Sequence, residues 1–225
     1  FSLYGAGMAL MPDSGLYTYT PGSYRDYFHG TESHNTVTVD GRDQNAGAVS
    51  HGKLHEGNGY VSQAAQHELY DGVLHKRALT LLGSKYVLVV DKLESDKEHA
   101  YKQFFHLFPG ADISGDATPL RVLSHENDKT STEVMRIIQL LPGGIVLDPA
   151  IGQTDPPRGL CALEYEKAVP CYSIGYGKRA SSALFVTLVE IGGHDEDLRY
   201  TYDNRNIELR TASKVYTINI TDSTS

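Results

Sequence analysis

Apolar and polar residues alternate with a period of two along most of the chain, and no segment sustains a helical period. The runs are Thr36–Val39, Leu74–Leu82, Tyr86–Val90, Tyr101–Phe108, Thr132–Leu141, Leu160–Glu166, Leu184–Ile191 and Val215–Ile220. They are rich in Val, Ile, Thr, Tyr and Phe, whose branched or flat side chains pack well on a pleated surface. Turn-type pairs separate them: Asp40-Gly41, Asp71-Gly72, Pro109-Gly110 and Pro142-Gly143. The pattern predicts an all-β fold, a multi-stranded antiparallel β-sandwich of the supersandwich kind, continuous over residues 1–225. The one candidate helix is Val61–Tyr70, where the apolar spacing is weak. No βαβ alternation exists. The glycine-bearing stretches Gly5–Gly7 and Ile174–Lys178 lack phosphate-loop spacing and read as turns or tight strand crossings.

Composition narrows the function classes. Twenty Lys and Arg stand against 28 Asp and Glu, a net charge of −8. Such a surface suits neither nucleic acid nor an anionic bilayer, both of which need a concentrated positive field. No apolar run reaches the ~18 to 20 residues of a membrane span. The start, FSLYGAGMAL, lacks a basic leader region and reads as the interior of a longer polypeptide. Cys161 and Cys171 lie ten apart and flank a strand-like run. They could pair across a hairpin in an oxidising compartment, but the expectation is two buried thiols that folding does not need.

Candidate chemistry concentrates between Asp13 and Gln44, where Tyr17, Tyr19, Tyr24, Tyr27, Arg25, His29, His34 and Asn35 crowd together. An Asp, an imidazole and an Asn held at strand ends can bind a metal, hold a carboxylate or orient a catalytic Tyr. Asp13 and His34 offer the carboxylate oxygen and imidazole nitrogen that suit zinc. A third ligand would come from His29, His51, His55, His106 or residues outside the chain. The plainer reading is that Asp13 caps the Asp13-Ser14-Gly15 turn and His34 bonds a strand end. His106 reads as a core or rim histidine, with a cleft position as the alternative. His51 and His55 have a ligand interval only if helical, and glycines bracket them. Asp195–Asp197 reads as a solvated turn, since its adjacent carboxylates lack the alternation of a calcium loop.

The segments FSLYGAGMALMPDSGLYTY and YRDYFHGTESHNTVTVDGRDQ, followed more weakly by YDGVLHKRALTLLGSKYVLVVDKLES and QFFHLFPG, resemble the C-terminal β-sandwich of the heparinase II/III-like polysaccharide lyases. The resemblance covers residues 1 to about 110 well and the rest by strand character. It implies an N-terminal α/α toroid as partner domain and β-elimination on an anionic, uronate-containing polysaccharide, heparan sulfate-like or alginate-like. It implies zinc, with Asp13 and His34 as two ligands and a further His upstream. Tyr24 is then the catalytic candidate and Tyr19, Arg25, Tyr27 and Asn35 contact substrate. A periplasmic or secreted location follows, and this portion alone would be inactive. The alternative is a non-catalytic carbohydrate-binding or structural sandwich. Such modules often stack sugars on Trp; this chain has none, but it has 15 Tyr.

Overall fold

A computed structural model describes residues 1–126, 130–203 and 205–219. In chain order the elements are β1 (Leu3–Gly5), β2 (Met8–Met11), helix α1 (Ser23–His29), a 3₁₀ turn (Thr31–Ser33), β3 (Val37–Val39), β4 (Ser50–His51), β5 (His55–Gly57), β6 (Tyr60–Tyr70), β7 (Val73–Leu82) and β8 (Tyr86–His106). They continue with β9 (Asp112–Gly115), β10 (Leu120–Glu126), β11 (Thr130–Gln139), β12 (Val146–Ile151), β13 (Gln153–Thr154), β14 (Pro157–Arg158), β15 (Leu160–Glu164), β16 (Lys167–Pro170), β17 (Tyr172–Ile191), β18 (Arg199–Tyr202), β19 (Asn206–Arg210) and β20 (Val215–Asn219). Ile220, the end of the last predicted run, lies outside the described residues.

Two long antiparallel strands organise the sandwich. The runs Tyr86–Val90 and Tyr101–Phe108, separate in the sequence pattern, belong to β8, which is 21 residues long. Its first half lies between β7 and the second half of β17; its second half lies between β3 and the first half of β17. The charged stretch between the runs occupies the crossing from one layer to the other, opposite an irregularity at Ala180/Ser182 of β17. Bending both strands together keeps them paired on either side of this irregularity while folding one sheet onto itself.

Parity then decides the core. Val87, Val89 and Leu93 of β8 face Tyr101 and Phe105 of its other half, together with Ile174, Tyr176 and Phe185 of β17. The opposite face of the first layer, with Leu88, Val90, Val186 and Leu188, is covered by Ile207, Leu209 and Ile218 from the meander β18–β19–β20. Side chains on both faces of one sheet are therefore removed from water, which explains its near-continuous apolar runs.

Two expectations are corrected. Val61–Tyr70 is strand, within β6, because it pairs with β7 in register from Tyr60↔Leu82 to His67↔His75 around the Asp71-Gly72 turn. Ladder formation overrides a weak helical spacing. Cys161 and Cys171 are not free thiols: they form a disulfide with Cα atoms 5.8 Å apart. The β15–β16 register pairs Leu160 with Pro170 and Cys161 with Val169, so Cys171, one residue past Pro170, lies diagonally across from Cys161. No helix among the described residues is long and apolar enough to cross a membrane.

Candidate functional site

The corner begins where β2 ends. Met11 and Pro12 are buried, which carries Asp13 to the surface, and the Gly15 amide donates to Asp13 Oδ1 at 3.0 Å. Gly15 has φ of +87° and lies against Ala162, whose carbonyl a Cβ at this position would strike. Only glycine suits both that conformation and that approach. The other oxygen, Asp13 Oδ2, meets His34 Nδ1 at 2.8 Å. The His34 hydrogen bond, with help from the Gly15 amide, holds the Asp13 carboxyl below its ordinary range. One carboxylate thus caps the Asp13-Ser14-Gly15 turn and bonds His34, as the plainer reading of Asp13 expects of the cap.

Asn35 is 1 % exposed. Its Nδ2 donates to Phe1 O (2.8 Å) and Pro12 O (3.1 Å), and its Oδ1 accepts from the His106 amide at 2.6 Å. Both ends of the amide are engaged within the protein, so Asn35 fixes the backbone beside Asp13 and His34. His106 is fully buried; burial, with the neighbouring His34, pushes its imidazole down to about 3, and its Nε2 has no hydrogen-bond partner among the described residues. It is neutral at neutral pH. His29 is exposed at the end of α1, and His51 and His55 are exposed on separate short strands. Among the described residues no three His, Cys, Asp or Glu side chains gather to hold a metal ion. Asp13 and His34 together supply one carboxylate and one imidazole, two donors where a zinc site takes four.

The tyrosine-rich stretch, read from sequence as loop and strand end, contains α1. Tyr24 and Phe28, four apart, share the face that packs on Tyr17, with ring centroids 5.0 and 5.8 Å away. The Tyr24 hydroxyl bonds nothing among the described residues, while Tyr27 Oη accepts from the Gly159 amide at 3.1 Å. Burial raises the Tyr27 hydroxyl pKa. Tyr27 is thus committed to holding α1 against the β14–β15 connection. Arg25 is partly exposed and its nearest carboxylate, on Asp26, is 3.9 Å away, which leaves a guanidinium fork open to an anion.

Tyr19 is 73 % exposed and tilts against Tyr165, 61 % exposed, at 6.3 Å. Tyr165 stands at the tip of the disulfide-closed β15–β16 hairpin, where Glu166 accepts from Thr18 Oγ1 (3.2 Å) and its amide donates to Tyr17 O (2.8 Å). Beside this contact lies an open groove of about 320 Å³ bordered by Tyr17, Thr20, Tyr24, Arg25 and Glu166. Sequence reading missed Tyr165 because it lies 165 − 19 = 146 residues from Tyr19 along the chain.

It also missed a buried polar brace. Asp91 accepts from Arg77 Nε (2.6 Å) and Nη2 (2.9 Å), from Gln103 Nε2 (2.7 Å) and from His75 Nε2 (2.7 Å). The third Arg77 nitrogen, Nη1, donates to Asn35 O at 2.6 Å. A signal was present: Arg77 and Asp91 are the charged members of otherwise inward-facing alternations in LHKRAL and YVLVVDKL.

A heparin-sulfate lyase of Bacteroides thetaiotaomicron is 29 % identical over 116 residues, 49 % of this chain and 16 % of that protein. The solved heparan sulfate lyase HepC of Pedobacter heparinus superposes with a TM-score of 0.78 at 19 % identity, covering 97 % of this chain and 36 % of its own. A heparinase III structure gives 0.76 at 16 % identity, covering 94 % and 34 %. The chain therefore spans about a third of these solved relatives' length, and the structural likeness establishes the shared sandwich. Residues 1–210 match the family model described as Heparinase II/III-like, C-terminal, and the chain belongs to that family.

Proposed function

We propose that the chain is the β-sandwich wall of a polysaccharide lyase that cleaves uronate-containing glycans, heparan sulfate-like or alginate-like, by β-elimination. An α/α toroid elsewhere in the protein forms the other wall. The observation that carries this reading is the Asp13–His34 contact at 2.8 Å, placed at a braced strand end in a member of this family.

Elimination removes the proton on C5 of the uronate, breaks the C4–oxygen bond and leaves an unsaturated sugar. Negative charge builds beside the carboxylate, so a cation or fixed donor must meet it. Arg25 is suited to hold that carboxylate or a sulfate by two parallel hydrogen bonds. Tyr24 presents a hydroxyl with no partner among the described residues, fit to exchange a proton with the leaving oxygen once a second wall excludes water. Tyr19 and Tyr165 offer ring faces to a sugar; Tyr27 and Asn35 act by holding the backbone. Zinc would be held by Asp13, His34 and a histidine from the rest of the protein, and when bound it would fix these strand ends. A periplasmic or secreted location is supported by the Cys161–Cys171 bond, since such bonds persist in oxidising compartments.

The test uses the complete protein. His34→Ala should remove bound zinc, read by elemental analysis, and cut formation of the ultraviolet-absorbing unsaturated product at least about 100-fold through misplacement of the corner. Retention of zinc and full activity would overturn the assignment. The exposed Tyr19–Tyr165 pair favours a second reading, a sugar-holding module without chemistry. That reading is sustained if the complete protein binds the glycan and forms no unsaturated product.

A further inference from the structure

A groove of about 490 Å³ opens on the outer face of the second layer, bordered by Lys102, Gly144, Val146, Gly177, Lys178 and Arg179. Its shape follows from strand register. His106, Phe104 and Lys102 alternate onto one face of β8, opposite Ser173, Gly175 and Gly177 of β17, which in turn pair with Ala150, Asp148 and Val146 of β12. Gly175 and Gly177 belong to the Ile174–Lys178 stretch that resembled no phosphate loop. A Cβ at Gly175 would sit 2.9 Å from Lys102 Cδ and 3.1 Å from Asp148 O. The two glycines thus remove a row of side chains and leave a trough in which Lys102 lies along the strand.

Charge in this trough runs against that of the molecule. Lys102 and Arg158 share Asp148 (2.7 and 2.9 Å), Arg158 also meets Glu32 (2.9 Å), and Arg179 meets Glu98 at 3.5 Å in an exposed pair. Four cations, Lys102, Arg158, Lys178 and Arg179, face three carboxylates, 4 − 3 = +1, within a chain of net charge −8. At the Gly41 rim, Asp40 is met by Arg42 and His99. Lys178 is the surplus cation and has no carboxylate partner among the described residues.

We propose that this groove binds a stretch of acidic polysaccharide, its carboxylate or sulfate groups held by Lys178, Arg179 and Lys102. The assignment of a glycan, as opposed to another polyanion, rests on the lyase reading above and on the groove itself. Single-stranded nucleic acid is held largely by stacking on exposed rings, whereas Tyr101 and Phe104 here are each 1 % exposed. A sugar chain needs only cations and backbone along a shallow track. The row also has a direction: at about 3.3 Å per strand residue, Lys102 lies about 13 Å along β8 from His106. His106 and Phe104 are buried, so the track open to a sugar chain is the groove at the Lys102 end of the row.

The experiment reads binding by calorimetry on this chain, with a size-fractionated heparan sulfate oligosaccharide as probe and neutral dextran and single-stranded DNA as comparisons. Lys178→Glu with Arg179→Glu should weaken heparan sulfate at least about tenfold and flatten the salt dependence of its affinity. The milder pair Lys178→Gln and Arg179→Gln should move both in the same direction. Arg205→Glu with Arg210→Glu, on the C-terminal meander, makes the same change in net charge and should leave binding within about twofold. Equal losses in the two reversed pairs, or none in either, would overturn the groove; DNA bound as tightly as the glycan would overturn the ligand class. Because binding is read without cleavage, a complete protein found to lack lyase activity would sink the lyase reading and leave this measurement interpretable.

Discussion

Arg77 grips Asp91 at two points, Nε to Oδ1 at 2.6 Å and Nη2 to Oδ2 at 2.9 Å, and spends its remaining nitrogen on the carbonyl of Asn35. Burial alone would raise the Asp91 carboxyl, yet Arg77 and His75 outweigh it and hold it far below the usual carboxylate range. The pair thus links the inter-sheet core to the peptide that follows His34.

Arg77→Met leaves a fully buried carboxylate without its principal counter-charge. Urea unfolding at pH 7 should show a loss of about 3 to 5 kcal/mol, the range for breaking a buried ion pair from one side. Adding Asp91→Asn to Arg77→Met should cost less than the sum of the two single changes, because the stranded charge is gone. Strict additivity would show that the two residues do not act as a unit.

Most of the layer architecture was legible because alternation is a direct record of which face is buried. Val87 and Val89 against Leu88 and Val90 report two different cores from adjacent positions. What could not be read is long-range pairing. Nothing local joins Tyr86–Val90 to Tyr101–Phe108 as one bent strand, since the charged residues between them resemble a turn. The same holds for the site. Asp13 and His34 were found by residue type and family resemblance, and the Asp-Ser-Gly turn was readable from its glycine. Asn35 has the composition of a ligand-binding residue, and its engagement by Phe1, Pro12 and His106 is visible only in three dimensions. α1 was missed because seven residues carry only one i, i+4 aromatic pair, Tyr24 and Phe28, too short a run for periodicity to register.

The disulfide predicts a local effect. Closing a ten-residue separation contributes about 2 to 3 kcal/mol on the chain-entropy account. Cys161→Ala with Cys171→Ala should lower stability by that amount, and hydrogen exchange should quicken first in Leu160–Pro170, whose ladder is otherwise short. Because Glu166 holds the Tyr17–Thr18 segment, exchange at Tyr17–Tyr19 should rise with it. Exchange unchanged in both segments would remove the hairpin from any role in ordering the tyrosine loop.

Gly15→Ala tests the approach at the corner. A Cβ there meets the Ala162 carbonyl and requires a positive φ that alanine resists, so the chain must move apart at the Ser14 O to Ala162 N bond, now 2.7 Å. The expected cost is about 1 to 3 kcal/mol. Nuclear magnetic resonance of His34 should shift as Asp13 is displaced, whereas a Gly7→Ala control, at a turn with open space around its Cβ position, should leave His34 unmoved.

The last prediction concerns acid. Leu69 N–H donates to His67 Nδ1 (3.2 Å), so that nitrogen carries no proton; His67 Nε2–H then faces His75 Nδ1 (3.1 Å), and His75 Nε2–H donates to Asp91. Burial, then the neighbouring His75 and Arg77, push the His67 imidazole down to about 4. In the unfolded chain it titrates near ~6.5. Between those values the unfolded state binds one more proton than the folded state, so stability falls as pH drops from about 6.5 toward 4. The full shift is discounted because His67 is only half-buried, leaving an expected loss of about 1 to 2 kcal/mol across that window. Replacing His67 by Gln removes the titrating group, and the slope of unfolding free energy against pH between about 6.5 and 5.5, above most of the range where carboxylates titrate, should flatten. An H67Q slope equal to that of the wild type would place the acid sensitivity elsewhere, with the fully buried His106 as the next group to replace.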